Sequence, residues 1–238
     1  MQKNIQDNNV GNTGDILKHA ALVNLLPILK AEKNKVICLD THTYRLNAKL
    51  ANQNWQSDVD RYLSSYPAYR KYIECESKYV AQGRYRCSSG IMIDELDEPA
   101  LLLSERHQAT RELLTEQLEE ESVSYMLEHE LLDWPNRNDL SETDKLFVLF
   151  DPFEFNNNEW QAVTKIINSI FLDTGTGIIE AFTYQHQHRY LDWPEPPTSW
   201  LGPVSVIDQE PYHLAVYASR NISAEVSETL NQLGWSAQ

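Results

Sequence analysis

The sequence predicts a doubly wound α/β fold, and three observations carry that prediction. Short apolar runs recur, each closing on a carboxylate: Lys35–Asp40 (KVICLD), Ala100–Glu105 (ALLLSE) and Lys145–Asp151 (KLFVLFD). Runs of this kind suit strands buried on both faces, as in parallel sheets. Stretches of helical periodicity separate them, which is the alternation of a βαβ architecture. At 238 residues with 42% hydrophobic side chains, the chain holds enough apolar material for one sizeable core.

The elements follow in order. Ile16, Leu17, Ala20, Ala21, Leu25 and Leu29 recur at helical spacing behind the loop Gly11–Gly14, predicting a helix over 15–30 whose last turn Pro27 kinks or tightens. The first strand is 35–40. A Tyr-rich, basic, roughly helical stretch over about 52–88 breaks the alternation and reads as an inserted subdomain within a single domain spanning 1–238. The second strand, 100–105, leads to a helix over 107–120 and a strand over 122–127. The third, 145–151, leads to a helix over 159–171. Further strands are expected at 177–184, 204–207 and 212–219, with a last helix over 224–233.

Charge is segregated along the chain. The net charge of −15 argues against phosphate partners as a whole, because Lys and Arg drive such binding. Residues 1–90, however, carry 13 Lys and Arg against 8 Asp and Glu, whereas 91–238 carry 7 against 27. The densest acid, from Asp94 to Glu130, reads as solvated helix faces. No apolar run is long enough to span a membrane, and the start lacks a signal peptide's apolar core, so a soluble, cytoplasmic chain is expected. Cys38, Cys75 and Cys87 form no Cys-x-x-Cys pair, so reduced thiols and no metal site are expected. His186 and His188 offer two imidazoles on one strand face, where a metal needs a third ligand.

Ligands in doubly wound sheets sit at the carboxyl ends of the strands, so the residues closing the three runs are the candidate site. Asp151-Pro152 can present a carboxylate and a backbone carbonyl to an exocyclic amine, with Phe153 or Phe155 as a stacking ring. A plain strand terminator is the open alternative. Asp40-Thr41-His42 stands where a nucleotide cofactor is expected, but Tyr44 and Arg45 follow where a glycine-rich turn would let backbone amides approach it. Glu105 is placed to accept from ribose hydroxyls, or to act as a helix-capping acid. Six bases, Arg70 and Lys71 among them, alternate with six tyrosines from Arg61 to Arg86, either an RNA surface or a helical lid with its tyrosines packed inward.

Gly11-Asn12-Thr13-Gly14-Asp15-Ile16-Leu17-Lys18-His19, then Leu39-Asp40-Thr41-His42, Glu105 and Asp151-Pro152, together resemble the RlmJ family of ribosomal RNA adenine-N6 methyltransferases. The resemblance runs over most of the chain and weakens after about Tyr184. It implies a Rossmann-like class I methyltransferase fold with a helical insertion after the first strand, S-adenosyl-L-methionine as cofactor and RNA as partner. It further implies that His19, His42, Ser89 (or Ser88), Glu105 and Glu130 hold the cofactor. Asp151 and Pro152 would receive the target amine, with Lys18 beside them. The family's Asp-Pro-Pro-Tyr is Asp-Pro-Phe-Glu here, which moves the stacking role to Phe153 or Phe155. Two alternatives accompany this reading: a relative that kept the fold as a binding or regulatory protein, and a methyltransferase with a small-molecule or protein acceptor.

Overall fold

The computed structural model describes residues 10–30, 35–129, 145–152, 157–170, 175–184, 200–209 and 212–235. In chain order the elements are α1 (Thr13–Leu29), β1 (Val36–Asp40), β2 (Asn47–Lys49), α2 (Trp55–Ser65), α3 (Tyr69–Val80), β3 (Arg84–Arg86), α4 (Ser88–Glu95), β4 (Ala100–Ser104), α5 (Gln108–Glu121), β5 (Ser124–Glu128), β6 (Lys145–Phe150), α6 (Asn157–Ile170), β7 (Thr176–Tyr184), β8 (Trp200–Gln209), β9 (Tyr212–Ser219) and α7 (Ser223–Gln232).

Seven strands form one sheet in the order β5-β4-β1-β6-β7-β9-β8. The first five run parallel, and β9 pairs antiparallel with both β7 and β8. The three apolar runs therefore lie side by side at the centre, with Asp40 opposite both Leu103 and Leu149. After β1 the chain steps outward to β4 and β5, then returns to place β6 on the other side of β1. That reversal opens a crevice at the carboxyl ends of β1 and β6.

Strand alternation divides the core in two. Cys38, Leu101, Leu103, Phe147, Leu149, Ile178 and Phe182 pack with α1, whereas Ile37, Leu39, Leu146, Val148 and Phe150 pack with Trp160 and Val163 of α6. Helix α1 is buried nearly all round rather than on one stripe, because it is covered by α3, α4 and α7 as well as by β6 and β7. Asn12 caps it by accepting the Asp15 N–H at 3.0 Å, and Lys30 N bonds to Pro27 O, so the proline tightens the last turn as expected.

The insertion after β1 contains the two helices α2 and α3 and is closed by an antiparallel β2–β3 ribbon that the sequence pattern does not predict. Its aromatic residues join the main core: Trp55, Tyr69, Tyr72 and Tyr85 are buried in the same cluster as α1 and Trp235. A hydrogen-bonded chain runs from Trp55 Nε1 to the Tyr72 hydroxyl (2.9 Å) and on to that of Tyr85 (3.0 Å). Helix α4 is likewise not predicted. The strand expected from Ser122 starts at Ser124, since Ser122 ends α5 in the left-handed region at φ 54°. Among the described residues no helix is long and apolar enough to cross a membrane, and no cluster of three or more metal-ligating side chains occurs.

Candidate active site

The crevice between β1 and β6 holds a cavity of about 80 Å3. Asp40 and His42 reach it from β1, Asp151 from β6, Asp15, Lys18 and His19 from α1, and Cys87 and Ser88 from the segment entering α4. The residue string near the amino terminus and the two strand tips, far apart in sequence, thus meet.

Lys18 is the hub. Its Nζ lies 2.5 Å from Asp151 Oδ2 and 3.3 Å from Asp15 Oδ1, one helical turn earlier on α1. Burial favours discharging this lysine, but the charges of Asp151 and Asp15 outweigh that and hold its pKa above the ordinary value. Asp15 also accepts the Gly11 N–H at 2.8 Å, which ties the loop before α1 to the site. Burial pushes Asp40 up to about 6, against the pull of a 2.6 Å hydrogen bond from Ser89 Oγ to its Oδ2.

The two histidines differ. His19 is buried and stacked on Tyr85 at 5.3 Å, with Nε2 2.9 Å from Ser88 Oγ. Burial first, and the Lys18 charge second, push its pKa well below the usual value, so it is neutral, and its Nδ1 is buried without a hydrogen-bond partner. The Thr41 hydroxyl donates to Leu149 O and lies 2.7 Å from His42 Nδ1, while His42 Nε2 faces Glu159 of α6 at 3.3 Å. Burial lowers the His42 pKa and Glu159 opposes it.

No family model matches the chain, and no curated protein matches it. Among solved structures, it is similar to protein LPL1258 from Legionella pneumophila, described under family DUF519. The identity is 17% and the TM-score 0.59, over 94% of this chain and 93% of that one. It also aligns with HI0767 from Haemophilus influenzae, provisionally named a methylase (14% identity, TM-score 0.47, 87% and 98% covered). An rRNA methylase from Streptococcus thermophilus aligns at 10% identity and TM-score 0.44, over 85% and 94%. The chain shares the doubly wound, Rossmann-like α/β fold of the Legionella protein. Its parallel core, the antiparallel pair at one edge and the crevice between β1 and β6 are the features of that fold that bear on the site.

Within this fold the remaining expected site residues fall as follows. Ser88, rather than Ser89, lines the cavity, and Ser89 reaches it only through Asp40. Glu105 follows β4, but its carboxylate turns back to accept the His107 N–H at 2.6 Å and is not part of the cavity wall. Pro152 is buried beside Asp151. Tyr44 and Arg45 line the cavity where a glycine turn was expected, the Arg45 guanidinium lying 4.8 Å from the centre of the Tyr44 ring.

Glu130, Phe153, Phe155, His186 and His188 lie outside the described residues. The insertion meets the inward-packed alternative for three of its six tyrosines: Tyr69, Tyr72 and Tyr85 are buried core, whereas Tyr62 and Tyr79 are half-buried and Tyr66 is exposed. Arg70 is exposed, but Lys71 is drawn inward, its ammonium bound to Val23 O and 3.0 Å from Glu95.

Asp15 and Glu159 were not singled out from the sequence as site residues, and Asp40 was read only as the acid closing the first run. Asp15 carried a usable signal, since it stands three residues before Lys18 on a helix. Glu159 carried none, because its contact with His42 spans more than a hundred residues.

Proposed function

We propose that the chain is an S-adenosyl-L-methionine-dependent methyltransferase acting on an amine acceptor, an adenine N6 of ribosomal RNA foremost. The single observation that carries the reading is the Lys18–Asp151 ion pair at the tip of β6, inside the crevice where class I methyltransferase folds place ligands.

The residues present fit such a cofactor in charge. Three carboxyl groups, Asp15, Asp40 and Asp151, face two cations in the wall, Lys18 and Arg45, so the acids are in excess by one, which suits a sulfonium cation. The unpartnered Nδ1 of His19 offers a polar contact. At about 80 Å3 the cavity is well below the roughly 300 Å3 of a small ligand pocket, so the described walls match only a part of the cofactor. His19, His42, Ser88, Glu105 and Glu130 would hold it, with Ser89 acting through Asp40 and Glu105 after letting go of His107 N. When bound, the cofactor supplies an electrophilic methyl group.

This chain's part is positioning. Lys18 orients the Asp151 carboxylate before the acceptor arrives, and that carboxylate then accepts one amine N–H while the Pro152 carbonyl accepts the other. The nitrogen lone pair is then aimed at the methyl group, and orientation supplies much of the acceleration. RNA would be met by the exposed bases of the insertion, Arg61, Arg70, Lys78 and Arg84, as phosphate contacts rather than by ring stacking. Asp151→Ala should abolish methyl transfer while leaving cofactor affinity within about threefold by calorimetry; near-normal turnover would sink the reading.

A second reading has its own observation. Tyr44 and Arg45 stand in the cavity wall at the glycine-turn position, as they would in a relative that kept the fold as a binding protein. Calorimetric titration with S-adenosylhomocysteine separates the two, since absence of heat and of any thermal shift favours the second.

A further inference from the structure

Glu180 lies in the middle of β7, fully buried, with both carboxyl oxygens lacking any hydrogen-bond partner. Apolar neighbours Leu149 and Val216 flank it across the sheet. Ile178 and Phe182, two residues away on either side, share its face of the strand and pack under α1. The Lys18 ammonium sits 5.4 Å from the centre of the Phe182 ring, which places that charge over the same face, one strand repeat from Glu180. The charged groups acting here are Lys18 from α1 and Asp151 from β6, with Asp15 and Asp40 beyond them around the ammonium. A carboxyl group is rarely left unsatisfied in such a place, and each one calls for an explanation.

We propose that Glu180 is a positioning residue, a counter-ion of Lys18 alternative to Asp151: when an amine or a cation engages Asp151, the Lys18 ammonium turns inward to the Glu180 carboxyl, which releases its proton to solvent. In the resting arrangement Glu180 is a neutral acid, as its burial demands, and Lys18 is bound to Asp151. In the second arrangement the Asp151 carboxylate is free to accept hydrogen bonds, and the new ion pair is Lys18–Glu180. One proton leaves the protein in this exchange, and both carboxylates keep a partner: Glu180 has the Lys18 ammonium, and Asp151 has the entering cation or the N–H groups of the entering amine. The purpose of the exchange rests on the amine-acceptor reading, but its geometry does not.

Infrared difference spectroscopy on the purified chain tests it without any activity assay. The wild-type minus Glu180→Gln spectrum should contain the carbonyl band of a protonated acid. Asp151→Asn removes the first counter-ion and mimics its engagement. In that background, subtracting the Glu180→Gln double variant should show an ionised carboxylate instead. Adding Lys18→Met to Asp151→Asn should restore the acid band, because no ammonium remains to turn inward. An acid band that persists in Asp151→Asn, or is absent from the wild type, overturns the proposal. Should the Asp151→Asn, Glu180→Gln double variant fail to fold, the Asp151→Asn spectrum with and without Lys18→Met distinguishes the two arrangements equally well. A chain that shows these spectra yet transfers no methyl group leaves the exchange standing and removes only the catalytic reading.

Discussion

Replacing Glu76 with glutamine removes one titrating proton from the middle of α3 without removing its hydrogen bond. The side chain is fully buried, and Oε2 accepts the Arg86 backbone N–H at 3.0 Å, which fixes β3 just before Cys87 and Ser88 enter the cavity wall. Burial pushes its pKa up to about 8 from the ordinary 4.5, opposed by that hydrogen bond and by the Arg86 charge. Between those values the folded chain holds a proton that the unfolded chain has lost. Stability therefore falls as pH rises across that window, and the dependence is flat below 4.5 and above 8. Each pH unit is worth about 1.4 kcal/mol, so three and a half units amount to about 5 kcal/mol. Glu76→Gln keeps an oxygen for the Arg86 N–H and drops the titration. Urea denaturation followed by tryptophan fluorescence should give curves that coincide near pH 4.5 and diverge until the variant leads by about 5 kcal/mol at pH 8. Parallel curves across the range would refute both the burial argument and the protonated state of Glu76.

Other outcomes follow from the same geometry. Ser89→Ala deletes the hydrogen bond that lowers the Asp40 pKa, so that group should titrate roughly one to two units higher in a carbon-13 NMR titration; an unmoved midpoint would show that Ser89 does not tune it. Glu159→Gln removes the charge that supports His42, whose imidazole should then titrate at lower pH, seen in the ring proton shifts. A Cβ at Gly14 would come within 2.6 Å of the Tyr212 ring and 2.8 Å of Phe182, so Gly14→Ala should destabilise by about 1–3 kcal/mol in chemical denaturation. Reversing the charge of Arg70 should weaken binding to structured RNA and flatten its salt dependence, and an unchanged slope would count against the insertion as the contact surface.

How much of this was legible in the sequence depended on how local each signal was. The strands KVICLD, ALLLSE and KLFVLFD announced themselves because both faces are buried, and α1 because the loop Gly11–Gly14 precedes a periodic run. Helix α4 and the β2–β3 ribbon did not. The ribbon pairs Asn47, Ala48 and Lys49 with Arg86, Tyr85 and Arg84, residues whose strand state is imposed by tertiary contacts, such as Glu76 gripping Arg86 N. The tyrosines of the insertion were ambiguous for a different reason: a phenol ring serves equally as a stacking surface or as core, and for Tyr69, Tyr72 and Tyr85 packing into the cluster of α1 and the distant Trp235 decides for core. At the site, the strand tips and Lys18 were readable, whereas the turning-back of Glu105 onto His107 N was not.

Helix α1 brings Asp15, Lys18 and His19 to the cavity while being walled in by three helices and the sheet. Amide protons of that helix can therefore reach deuterated solvent only when the whole molecule opens, and their exchange rates should report the global unfolding free energy. The chemistry and the durability of the protein share one spine. Any adaptation of the cavity made on this helix will register in thermal resistance.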